Sequence, residues 1–175
     1  MRGQDIRHQR ESSAMYEKIL LTLFGATVGW FLSWHRYRVA ENANLISDHI
    51  KDVERFASEL LAHWTKSFQG GDANEHRREI AKIRSLHASI SSFYGEAELR
   101  LGINRYRNYQ VLQLRLFKCG MGGNFESIGR DHCEETAIET QRLSWELIQS
   151  LRIARREQYS LLGWVKSYFA KTPQQ

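Results

Sequence analysis

Residues 19–34, ILLTLFGATVGWFLSW, form the only uncharged apolar block of its length in a 175-residue chain that is otherwise densely charged. A membrane-spanning helix usually needs about 20 apolar residues, with a lower end near 17. With His35 included, residues 19–35 supply 17 uncharged positions, and Arg36 and Arg38 follow at once. Lys18 stands at one end with a stem that can snorkel. Trp30, Trp34 and Tyr37 provide interfacial aromatics at the other, where Arg36 and Arg38 stop transfer. The block therefore reads as a single transmembrane helix. The competing reading is a buried core helix, the usual role of shorter apolar stretches. A cleaved signal peptide is disfavoured, because bulky aromatic and basic residues occupy the place where cleavage needs small ones.

Within the block, Gly25 and Gly29 stand four apart and Ser33 continues the series one turn later. Such a small-residue face lets two helix backbones approach closely, so a homo-oligomer packed through Gly25, Gly29 and Ser33 is expected. Basic residues are nearly balanced across the block: Arg2, Arg7, Arg10 and Lys18 precede it, and Arg36, Arg38 and Lys51 follow. The positive-inside rule alone gives no orientation. The two cysteines, Cys119 and Cys133, are too few for a disulfide scaffold, and no N-x-S/T site is present. Together with the basic surface, they favour a cytosolic carboxy-terminal domain.

The remainder is helical by pattern. Its only proline is Pro173, and no alternating β-branched run is bounded by turn residues, so the fold class is all-α. Ile46, Ile50, Val53, Ala57, Leu60 and Trp64 recur at steps of four and three, the spacing of one bundle seam. No breaker separates this seam from the apolar block, which predicts a continuous helix ending at the paired glycines Gly70 and Gly71, with Asp72 or Asn74 capping the next. A second long helix carries Ile80, Ile83, His87, Ile90, Tyr94, Ala97 and Leu101, kinks near Gly102, and resumes with Tyr109, Leu112 and Leu116. The glycine-rich run at 119–124 divides it from a third helix. That helix is expected from near Phe125 to Ala170 or Lys171, with Leu143, Leu147, Leu151 and Ala154 on its apolar stripe. The expected organisation is a tail at 1–18, a transmembrane helix at 19–35, an antiparallel bundle of about three long helices at 36–171, and a tail at 172–175. The apolar piece 159–169 is read as the end of the bundle core rather than a membrane-surface helix.

Chemistry is sparse. No Glu-x-x-His motif occurs, although Glu59 and His63 share a helix face and residues 131–135 (DHCEE) are rich in ligand types. Neighbouring residues on a helix diverge, so at most two of those five would meet one ion. Hydrolase, nucleotide and phosphate motifs are absent, and the glycine run 120–123 lacks the lysine and Ser/Thr of a phosphate loop. Cys119, beside Lys118, reads as an inert thiol. The chain is thus expected to be no enzyme and to carry no catalytic residue, metal or cofactor. A net charge of +5 favours an acidic partner. Arg100, Arg105, Arg107, Arg115 and Lys118 interleave with Tyr106 and Tyr109, and Arg152, Arg155 and Arg156 form a second patch. Nearby glutamates make a solvated or lipid-facing surface the better reading than nucleic acid.

The leading expectation is a single-pass membrane protein whose bundle is an oligomerisation or partner-docking module. Trp30 and Trp34 would set its depth, and Arg36 and Arg38 would hold its basic side. The lipid bilayer, further copies of the chain and a protein partner are the expected contacts. The alternatives are a membrane-perturbing effector of toxin or phage-defence type, and a soluble basic bundle that binds nucleic acid with the apolar block packed inside.

Overall fold

A computed structural model describes residues 2–66, 73–127 and 131–158. With no proline in these stretches, every regular element is helical: α1 (Arg2–Thr65), α2 (Ala73–Ser92), α3 (Tyr94–Leu101), α4 (Ile103–Met121) and α5 (Glu134–Gln158). The described residues contain no strand. The all-α expectation holds at that level. The chain divides into two units, Met1–Glu41 and Asn42–Gln175, and α1 contributes to both.

The second unit is built on the seam read from the sequence. Ile46, Ile50, Val53, Ala57, Leu60 and Trp64 are all buried, and Phe56 joins them without exposure. Contacts along α1 fix the direction of each neighbour. α2 runs antiparallel to it, pairing Lys82 with Glu59 and Ser89 with Asp52. α4 runs parallel, placing Tyr109 against His49 and Phe117 edge-on to Phe56 at 5.6 Å. α5 returns antiparallel, with Cys133 N–H donating to the Trp64 carbonyl, Gln141 reaching the Ala57 carbonyl and Arg155 reaching Ser47. The result is an up-down-up-down bundle of four helical legs.

This arrangement corrects the expectation of about three long helices. The predicted second helix, 73 to about 118, is three helices. Its stripe fits one straight helix, yet the regular helix is interrupted at Phe93, which stacks on His49 with ring centroids 4.0 Å apart. Gly102 then adopts φ +77°, a conformation L side chains rarely take, and the chain reverses there. What reads as a kink is a reversal, and it supplies the extra leg. The third predicted helix begins later than expected. Phe125 lies in the turn after α4, where it is 1% exposed and covers the end of the core, and α5 starts at Glu134. Its stripe of Leu143, Leu147, Leu151 and Ala154 is buried as expected. The glycine turn at 70–71, the piece 159–169 and the predicted end at 170 or 171 lie outside the described residues.

Close approach of α4 to α1 depends on Gly120. A Cβ there would stand 2.5 Å from Leu60 Cδ1 inside the core, and the Gly120 carbonyl accepts from Trp64 Nε1 at 2.9 Å. Overpacking a filled core costs about 1–3 kcal/mol. Gly120→Ala is expected to lower unfolding stability by about that amount in urea titrations. Adding Leu60→Val should recover part of the loss, and strictly additive losses would contradict this packing.

Candidate functional site

Two features stand apart from ordinary bundle packing: the apolar segment of α1 in the first unit and a set of buried histidines in the second. In residues 19–34, each described large apolar side chain is exposed, from Val28 at 40% to Leu21 and Phe24 at 70%. Successive helical residues point about 100° apart, so Ile19, Leu20, Leu21 and Leu32, with the aromatics between them, spread large apolar groups over more than half the circumference. The remaining face carries Thr22, Gly25, Ala26, Gly29 and Ser33, all small and uncharged. A helix without a charged face needs an apolar surrounding. None of these residues belongs to the buried core cluster of the second unit.

No helix among the described residues is long and apolar enough to cross a membrane. The transmembrane expectation is corrected to that extent, and the physical reason is visible in the chain. Lys18 and Arg36 confine the uncharged run to 19–35, which at 1.5 Å per residue is about 25 Å, against a hydrocarbon core of about 30 Å. Glycines, hydroxyl residues and His35 dilute its hydropathy further. Two of the hydroxyls are satisfied within the helix: Thr22 Oγ1 donates to the Lys18 carbonyl and Thr27 Oγ1 to the Leu23 carbonyl, both at 2.8 Å.

The anchor residues named from the sequence lie on this segment. Trp30 and Trp34 are exposed at 69% and 46%, Phe31 packs beside Trp34, and the Arg38 guanidinium stands 5.1 Å from the Trp34 ring centroid. That last contact is a cation–π pair one helical turn long. Arg36 is exposed. At Gly25 and Gly29 a Cβ would meet nothing within 4 Å, and Ser33 is exposed, so the small-residue strip is open in the single chain.

The buried histidines were not singled out from the sequence as core residues. His49 is 4% exposed, shares a 2.9 Å hydrogen bond with the Tyr109 hydroxyl and stacks on Phe93. Burial pushes its pKa down to about 4, opposed by the nearby Asp52 carboxylate. Burial raises the Tyr109 phenol well above its ordinary value, so both partners are neutral at pH 7. Near the other end of the bundle, His63 is fully buried. Its Nε2 lies 3.1 Å from the Phe125 carbonyl, and a carbonyl only accepts, so Nε2 carries the proton. His63 Nδ1 faces Glu79 Oε1 at 3.6 Å, and the ring of His76 stacks 6.1 Å away. His49 and His63 each sit one residue off an apolar seam position, beside Ile50 and Trp64 respectively. That adjacency was the only signal in the sequence.

Chemistry-bearing pairs named from the sequence are separated by the fold. Glu59 pairs with Lys82 while His63 turns inward, and among the described residues no group of three ligand side chains is placed to hold a metal ion. In the 131–135 stretch Cys133 is half-buried and hydrogen-bonded to Thr136 at 3.0 Å, which lowers its thiol pKa, while His132, Glu134 and Glu135 are exposed. Cys119 lies 3.6 Å from the Thr140 hydroxyl. Much of the basic surface is neutralised by ion pairs: Arg100 with Glu96, Arg105 with Glu157 and Arg152 with Glu54. Comparison with protein-family models, with curated proteins and with solved structures found no match to the chain.

The His49 pocket generates a pH dependence. A histidine held at about 4 in the folded state and near 6.5 when unfolded binds more protons unfolded, so its stabilisation is present above pH 6.5 and is lost as pH falls toward 4. The shift corresponds to about 3 kcal/mol by the usual conversion of pKa units. Unfolding free energies of wild type and His49→Gln should therefore diverge between pH 7 and pH 4.5, with the variant flatter. Parallel pH curves would show that His49 is not held neutral.

Proposed function

We propose that the chain is a single-pass membrane-anchored helical bundle that serves as an oligomerisation or partner-docking module and performs no chemistry of its own. The observation that carries this reading is the exposure of large apolar side chains over more than half the circumference of α1 at residues 19–34, with no charged face opposite. A protein partner or second copy covers one stripe of a helix, whereas lipid covers so wide an arc at once. The shortfall of about 5 Å against a typical bilayer is the kind that local thinning and snorkelling absorb at modest cost. Lys18 at one end and Trp30, Trp34, Arg36 and Arg38 at the other supply the flanks for that accommodation.

The open strip at Gly25, Gly29 and Ser33 supports pairing of two anchors. Exposed Val111 and Leu114 on α4 and Ile138 and Trp145 on α5 give the bundle apolar positions for a protein partner. Cys119 and Cys133 are both free thiols, consistent with the bundle on the cytosolic side.

Val28→Arg places a cation near the middle of the segment, where it opposes insertion by about 2.5–3.5 kcal/mol. The wild-type chain should remain in the membrane pellet after alkaline carbonate extraction and Val28→Arg should move to the supernatant, with Tyr37→Arg behaving as wild type. A wild-type chain found in the supernatant would refute the anchor. Gly29→Leu should lower the yield of cross-linked dimer in membranes, and an unchanged yield would remove the packing role of that strip.

A further inference from the structure

The outer face of α4 carries positive charge with nothing on its own helix to offset it. The helix contains no aspartate or glutamate. Arg107, Val111, Leu114 and Lys118, at steps of four, three and four, are all exposed, opposite the buried Tyr109, Leu112 and Leu116. Among the described residues, Arg107, Arg115 and Lys118 enter no ion pair, and Arg115 exerts only a longer-range pull on Glu139. Val111 and Leu114, exposed at 56% and 69%, stand between these cations.

The outer face of α5 is the counterpart. Ile138 and Trp145 are exposed at 69% and 57%, and Arg142 between them is held by two carboxylates, Glu139 and Glu146, which leaves that trio with surplus negative charge. The Arg152 guanidinium stands 5.6 Å from the Trp145 ring centroid and braces the ring. Glu134 and Glu135, exposed in the first turn, extend the acidic side.

The two faces are adjacent and level. Asn108 Nδ2 donates to Ser150 Oγ at 3.2 Å, and Cys119 Sγ lies 3.6 Å from Thr140 Oγ1, so α4 and α5 pack antiparallel with Leu114 and Trp145 each midway between those contacts. A twofold axis parallel to the two helices sets α4 of one copy against α5 of another, antiparallel and at unchanged height, and makes the reciprocal contact at the same time. Any acidic partner suits the α4 face alone. A second copy answers both faces at once, because the basic and the acidic strip stand side by side at matched height on every chain. Such an axis also keeps Asn42 at the same end of both copies, as two chains entering one bilayer need.

We infer that the outer faces of α4 and α5 form a self-complementary docking surface for a second copy of this chain. Leu114 lies against Trp145 of the second copy, Val111 and Ile138 extend the apolar contact to either side, and Arg115 and Lys118 face the second copy's Glu139 and Glu146. A tryptophan covered at the centre of a charged rim is the composition of a binding hot spot. This deepens the oligomerisation reading above and rests on it.

The test uses the full chain in mild detergent. An unlabelled copy carrying Leu114→benzoylphenylalanine is mixed with an isotope-labelled wild-type copy, and photoadducts joining unlabelled to labelled chains are mapped by mass spectrometry. They are expected to concentrate within residues 138–146 of the labelled copy. Adding Arg115→Glu and Lys118→Glu to the unlabelled copy should lower that yield about tenfold, through like charges brought face to face. Giving the labelled copy Glu139→Lys and Glu146→Lys should then restore it to within about twofold. Absence of cross-copy adducts from 138–146, a yield indifferent to the first reversal, or a loss that the second does not restore would each overturn this surface. In any of those cases, a cross-linked dimer still sensitive to Gly29→Leu would leave oligomerisation through the anchors standing, whereas loss of both would remove the oligomerisation reading itself.

Discussion

The bundle depends on one stripe of α1, from Ile46 to Trp64, because each other leg is defined by what it packs against there. His49 meets Tyr109 and Phe93, Phe56 meets Phe117, Leu60 meets the glycine face at Gly120, and the Trp64 carbonyl receives the first amide of the α5 leg. An isolated helix of this length in water gains little from propensity alone, so packing along the seam supplies the order. Polar groups drawn into the seam are satisfied locally. Trp64 Nε1 donates to Gly120, and His63 Nε2 donates to Phe125. These bonds fix which turn of α1 faces which end of α4, a register that apolar contacts alone leave loose.

The two halves of α1 carry different side-chain patterns. In the second unit, apolar residues keep to one stripe, with Lys51, Glu54, Arg55 and Ser58 in water. In the first unit that stripe gives way to a wide apolar arc with no charged side. The same backbone conformation serves both because neither stretch contains a breaker, while the side chains specify the medium. The cation–π contact between Arg38 and Trp34 lies where the one pattern gives way to the other, and it fits an interface between apolar and aqueous phases.

Much of this architecture was legible in residue spacing. The seam at Ile46, Ile50, Val53, Ala57, Leu60 and Trp64 and the α5 stripe at Leu143, Leu147 and Leu151 were readable because apolar residues at steps of three and four have few alternatives. The split of 73–118 was not. Tyr94, Ala97 and Leu101 continue the earlier spacing, and the interruption at Phe93 coincides with its meeting His49, 44 positions away in sequence. Phe125 follows the glycines at the expected start of the third helix, whereas its ring closes the core over His63. The buried histidines were hidden for a related reason: periodicity identifies which face is apolar, and a neighbouring polar residue is drawn inside only when a distant acceptor awaits it. For the apolar block, composition showed what the residues are. The structure adds that its large side chains are exposed in the single chain.

The proposed lipid surrounding of residues 19–34 is tested most directly by spin-label accessibility. Labels placed singly along the segment in membrane-reconstituted protein should show high oxygen collision and low collision with a water-soluble nickel chelate on every side of the helix, apart from a dip in oxygen access at the Gly25 and Gly29 strip. Oxygen access confined to a narrow stripe of the large apolar arc, or nickel access along the whole segment, would contradict it, placing protein or water where the account requires lipid.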